Sequence, residues 1–188
     1  MRKSLAVAVA ALSVAGVGAL VPSAADAATS GGTAATFTLN PSSTLAIAVP
    51  DGSTTPIAVA SGNTGAASVS GSLGNVTVTD GRGALVATWT ANAVSTDFTT
   101  GTATANETVS KSNVAYYAGV GTAAVGQVGA FLPAGTALSP VAIGTSAAVG
   151  SWSGTGNNTV TWNPTLKFTL SPSQVAGTYS GTVTQSVS

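Results

Sequence analysis

Apolar and polar residues alternate most clearly across residues 160–170. Val160, Trp162, Leu166, Phe168 and Leu170 share one parity; Thr159, Thr161, Asn163, Thr165, Lys167 and Thr169 share the other. A period of two with β-branched residues on the polar side predicts a half-buried strand. Pro164 falls on the apolar parity and has no N–H to donate, so this strand is expected at a sheet edge or with a bulge. Shorter runs repeat the pattern. Phe37 and Leu39 alternate with threonines, Leu45, Ile47 and Val49 with alanines, and Val76 and Val78 with threonines. Leu85, Ala87, Trp89 and Ala91 face one way, and Val86, Thr88 and Thr90 the other. Tyr179, Val183 and Val187 share a face near the end. Asp80-Gly81 followed by Gly83 predicts a tight hairpin turn between strands at 75–79 and 84–92. Residues 50–65 and 119–159 are rich in turn formers and read as long connections with short strands. The expected fold is all-β, an immunoglobulin-like antiparallel β-sandwich of about nine short strands.

The first 27 residues have a different pattern. Arg2 and Lys3 precede an uncharged apolar run over residues 5–20, Pro22 ends it, and Ala25-Asp26-Ala27 places small residues where a signal peptidase reads. This is the layout of a secretory signal peptide, with cleavage expected before Ala28. Residues 28–34 read as a flexible leader and residues 35–188 as one domain, with no second apolar run long enough to span a membrane. The expected location is secreted, extracellular or attached to the cell wall.

Charge narrows the partners. After residue 27 the cations are Arg82, Lys111 and Lys167, and the acids are Asp51, Asp80, Asp97 and Glu107. So few cations cannot neutralise a row of phosphates, which argues against nucleic acid. The chain has no Cys and no His. Its core must hold without disulfides, no Ser-His-Asp triad can form, and the usual transition-metal ligands are missing. The four acids are scattered through turn-like settings, not paired as a glycosidase needs. No catalytic residue, metal or cofactor is expected, and the chain reads as a non-enzyme.

Two segments stand out together. One is Leu73-Gly74-Asn75-Val76-Thr77-Val78-Thr79-Asp80-Gly81-Arg82-Gly83, followed by Trp89-Thr90-Ala91. The other is Trp162-Asn163-Pro164-Thr165-Leu166, with Ala176-Gly177-Thr178-Tyr179-Ser180-Gly181-Thr182-Val183-Thr184 near the end. From about Leu73 onward the chain resembles the WxL-type cell-surface domain, in the variant form of secreted actinobacterial proteins. The resemblance implies a β-rich domain that attaches non-covalently to Gram-positive peptidoglycan. Of the family's two Trp-x-Leu motifs, the first maps onto Trp89-Thr90-Ala91, with Ala91 in place of Leu. The second maps onto Gln185-Ser186-Val187, without the Trp.

Aromatic faces stack on the apolar C–H face of a sugar, so the candidate ligand-binding residues are Trp152, Trp89, Tyr116 and Tyr117. Trp89 and Trp162 sit on apolar strand parities, which favours the core. Trp152 lies in Ser151-Trp152-Ser153-Gly154, a loop-like composition. Tyr116 and Tyr117 are adjacent, so on a strand only one can face the core. Asp80 and Arg82 of the first motif are placed to pair across Gly81. The function expected is a non-catalytic surface module bound to peptidoglycan. The alternative is a structural or adhesin-like subunit that binds other surface proteins through sheet edges.

Overall fold

The computed structural model describes residues 33–42, 44–50, 57–124 and 127–188. The expected signal peptide, residues 28–32 of the expected leader, and Asp51 lie outside the described residues. Two units divide the chain, Met1–Thr38 and Leu39–Ser188, and all the regular structure described lies in the second.

That structure is all-β and antiparallel, with no α-helix among the described residues. In chain order the strands are β1 (Leu45–Ala48), β2 (Ser68–Ser72), β3 (Val76–Asp80), β4 (Ala87–Ser95), β5 (Phe98–Thr99), β6 (Thr108–Val109) and β7 (Val114–Tyr117). They continue as β8 (Gly121–Ala123), β9 (Gly129–Pro133), β10 (Val141–Ala142), β11 (Ala147–Gly154), β12 (Asn158–Trp162), β13 (Thr165–Thr169) and β14 (Val183–Val187). Among the described residues fourteen strands replace the expected nine or so, largely because long strands are broken in the middle.

The breaks line up. One sheet has the order β1-β3-β12-β8, a second β10-β7-β13-β2, and the same strands continue from one to the other with a slip of one residue in each register. β2 and β3, β13 and β12, and β7 and β8 are therefore three strands, each interrupted at the same level. The cause is local. Pro164 cannot donate, but its carbonyl accepts the Leu73 N–H at 2.9 Å. Gly74 and Gly119, at φ +95° and +72°, supply the two left-handed turns beside it. The stretch 160–170 is thus central in its layer, not an edge: β12 lies between β3 and β8, and β13 between β7 and β2. A neighbouring strand can tolerate Pro164 because it too is broken there.

A third sheet, β14-β4-β11-β9, forms the opposite layer. Trp162 of β12 stacks on Trp89 of β4 at 6.3 Å and on Phe131 of β9 at 5.0 Å between ring centroids. Each such pair adds about 0.5–1.5 kcal/mol beyond the burial of its area. Val76, Val78, Val160 and Leu166 pack with this cluster from one side, and Ala91, Ala93, Val149 and Trp152 from the other.

Three local expectations change. Residues 81–86 form no hairpin: β3 and β4 belong to different layers, so the Asp80-Gly81-Arg82-Gly83 turn starts an arch between them. Leu85 and Val86 lie in that arch and are exposed, while alternation begins at Ala87. Phe37 and Leu39, in strand-like text, are outside any strand and more than four-fifths exposed.

Candidate functional site

The aromatic candidates converge on the core. Trp152 lies on β11, directly across from Trp89 on β4 and Phe131 on β9, and is 2% exposed. The loop expected around it is an eight-residue strand. Its composition misleads because Ser151 and Ser153 occupy the outward parity of a strand. The glycines beside it serve packing: a Cβ on Gly129 would come 2.4 Å from the Trp152 ring. Among the described residues its indole N–H has no hydrogen-bond partner.

Trp162 donates its indole N–H to the Tyr116 hydroxyl at 2.8 Å, and that hydroxyl donates to Gln185 Oε1 at 3.1 Å. Burial pushes the Tyr116 phenol well above its ordinary value, although the Trp162 hydrogen bond opposes this. Tyr117 points to the other face and is half-buried. Trp89, Trp152, Trp162 and Tyr116 therefore offer no open ring face to a sugar.

Asp80 and Arg82 pair as their spacing suggests, but inside. Asp80 is fully buried; Arg82 Nε reaches its Oδ1 at 2.9 Å and Nη2 its Oδ2 at 2.8 Å. Asn158, opposite Asp80 in the ladder, accepts the Trp89 indole N–H at 2.9 Å and turns its amide toward Asp80 Oδ2 at 3.5 Å. Two other acids serve local structure. Glu107 accepts from the hydroxyls of Thr102 and Thr104 at 3.0 and 2.7 Å, and Asp97 accepts the Lys111 N–H at 2.7 Å. Among the described residues, no three of His, Cys, Asp and Glu cluster.

What the aromatic reasoning missed is a cleft of about 1480 Å³ beside β2. Val69, Leu166 and Phe168 line it from the first layer, with Phe98 edge-on to Phe168 at 4.8 Å. Residues 57–66 bound it on one side and residues 174–183 on the other. Among its described lining residues none carries a charge; Asn63, Gln174, Thr178 and Tyr179 supply amides and hydroxyls. The cleft was legible only as a hint, in the turn-rich text of residues 50–65.

Comparison with protein-family models, curated proteins and solved structures found no match. The site is therefore read from its own chemistry.

The edge of β2 adds to that chemistry. Leu73 N–H bonds Pro164 C=O and Leu170 N–H bonds Ala67 C=O. That register turns the odd-numbered residues of β2 toward β13 and leaves the N–H and C=O of Ser68, Ser70 and Ser72 pointing outward. Edge strands commonly carry a charge or Pro that blocks pairing; Ser-Val-Ser-Gly-Ser has neither. Elsewhere the rims close on the opposite layer, with β1 beside β14 and β8 beside β9. Among the described residues nothing pairs with that edge, and β2 runs there as an unpaired ladder along a partly apolar cleft.

Proposed function

We propose that this chain is a secreted, non-catalytic cell-surface subunit that binds another polypeptide through the open β2 edge and its cleft. The observation that carries this reading is the uncharged, outward-pointing backbone of Ser68, Ser70 and Ser72 above an apolar floor. Strand addition at such an edge draws affinity from main-chain hydrogen bonds and specificity from pockets for alternate side chains. The reading takes the two layers as an immunoglobulin-like sandwich; their antiparallel pairing and buried tryptophans support that plan. Secretion is supported by the Arg2-Lys3 and apolar pattern of residues 1–27, and a Gram-positive envelope by the WxL resemblance.

A second reading is direct association with peptidoglycan. It is supported by the same resemblance and by the amide and hydroxyl groups around the cleft, which suit a neutral glycan or a stem peptide.

One experiment separates the two. The exported protein is co-sedimented with native walls, with walls stripped by protease, and with purified sacculi, alongside a Ser70→Pro variant. Binding that needs unstripped walls and an intact edge supports the protein partner. Saturable binding to bare sacculi that lysozyme abolishes, with Ser70→Pro equal to wild type, replaces it with the glycan reading.

A further inference from the structure

The chain carries a segment that suits its own open edge. Residues 35–40, Ala-Thr-Phe-Thr-Leu-Asn, alternate like a half-buried strand, yet Phe37 and Leu39 are 86% and 83% exposed and pair with nothing described. No charge lies in residues 33–42, in β2 or among the described lining residues of the cleft, so none of these groups repels another. We propose that residues 35–40 of one copy add as a strand to β2 of a second copy, with Phe37 and Leu39 turned into the cleft. This rests on the edge-binding reading above and names the partner as the chain itself.

Reach decides between the same copy and another. Ser42 is fixed at the arch, where its N–H bonds Gly81 C=O at 3.0 Å and Gly81 N–H bonds Thr44 C=O at 2.7 Å. From Ser42 back to Phe37 the chain spans at most about 17 Å. The near end of the cleft, at Leu73, lies the length of β3 and its turn beyond Gly81, about 25 Å at the usual strand rise. Phe37 falls short of its own cleft, and Leu39 falls shorter. A donor that cannot reach its own acceptor makes a head-to-tail contact with another copy. Repeated from copy to copy, such a contact builds a ring where its rotation closes and an open chain of subunits where it does not.

The full chain is expressed in a secreting host, recovered from the medium and followed by sedimentation over a wide concentration range. Wild type is expected to form a concentration-dependent series of growing species. A Phe37→Asp/Leu39→Asp variant lacks the donor, a Ser70→Pro variant lacks the acceptor, and each alone is expected to be monomeric. Mixed in equal amounts they are expected to give a discrete dimer, since each supplies what the other lacks. A synthetic peptide of residues 33–42 should bind the donor-less variant saturably and dissolve wild-type assemblies, a readout that does not depend on Ser70→Pro folding. Assembly that survives loss of Phe37 and Leu39 but not of the edge overturns this inference and leaves edge binding intact. A wild type that stays monomeric and does not bind the peptide also overturns it, while the wall experiment still judges the edge.

Discussion

The Trp89 indole N–H donates to the Asn158 side-chain oxygen at 2.9 Å and so ties β4 of one layer to β12 of the other. Behind Asn158 stands Asp80, and behind Asp80 the Arg82 guanidinium, which is 37% exposed. A line of polar groups thus runs from solvent to the aromatic core. Buried polar groups cost stability when one partner is lost. Asn158→Leu strands the Trp89 N–H and removes a neighbour of Asp80, and is expected to cost about 2–3 kcal/mol. Urea denaturation measures it; an unchanged midpoint would show that the bond is dispensable.

Acid should act through Asp80. The Arg82 side-chain hydrogen bond lowers its carboxyl below the ordinary value of 3.8; burial opposes this, and the Arg82 N–H, its charge and the Asn158 amide lower it further. The folded state therefore holds the proton less tightly than the unfolded chain. Its contribution is fully present above the ordinary carboxylate range and is lost as pH falls through the lowered folded value. Glu107, held down chiefly by the Thr104 hydroxyl, acts in the same direction. Melting temperature should fall below about pH 4, and Asp80→Asn, less stable at neutral pH, should show a flatter acid limb.

Tyr116→Phe removes the acceptor of the Trp162 indole and the donor to Gln185 while keeping the ring. It is expected to cost about 1–3 kcal/mol in chemical denaturation. Gln185→Leu should cost less, because Trp162 keeps its partner. Equal losses would count against the ordering of this chain of hydrogen bonds.

All three tryptophans should resist quenching by iodide in the folded protein and become accessible only on unfolding. Trp152→Ala is expected to cost about 3–5 kcal/mol, as large aromatic deletions do. Trp152→Phe should be milder than Trp89→Phe, since the Trp152 N–H has no partner to lose and the Trp89 N–H does. Ready quenching of one tryptophan in native protein would contradict its burial.

Gly71 meets residues 57–62 at close range: a Cβ there would lie 1.7 Å from the Val59 carbonyl oxygen. Gly71→Val should push that segment off the inner face of β2 and open the cleft. Faster proteolysis after residue 57, with β-sheet circular dichroism retained, is the expected result.

Local periodicity carried much of this fold. The parity of Ala87, Trp89 and Ala91, and of Val160, Trp162, Leu166 and Phe168, survives unchanged in the burial of β4, β12 and β13. Periodicity could not show that Asp80-Gly81 leads across to another layer, because a turn and an arch use the same residues. Nor could it show that Pro164 sits in a central strand, since that depends on matching breaks near Gly74 and Gly119, far away in the chain. The candidate site was the least legible part. Its floor residues read as ordinary core, and its open edge is a property of pairing that no single strand records.

The pairing also has a consequence in time. Asn158 meets Asp80 across 78 positions, and Ser72 meets Asn163 across 91. β14, the last strand, docks on β4. Such ladders close only after long loops have found their ends, which places β-rich domains among the slower folders, in milliseconds to seconds. For the secreted subunit proposed above, slow collapse is an advantage: the unfolded chain stays transportable for longer.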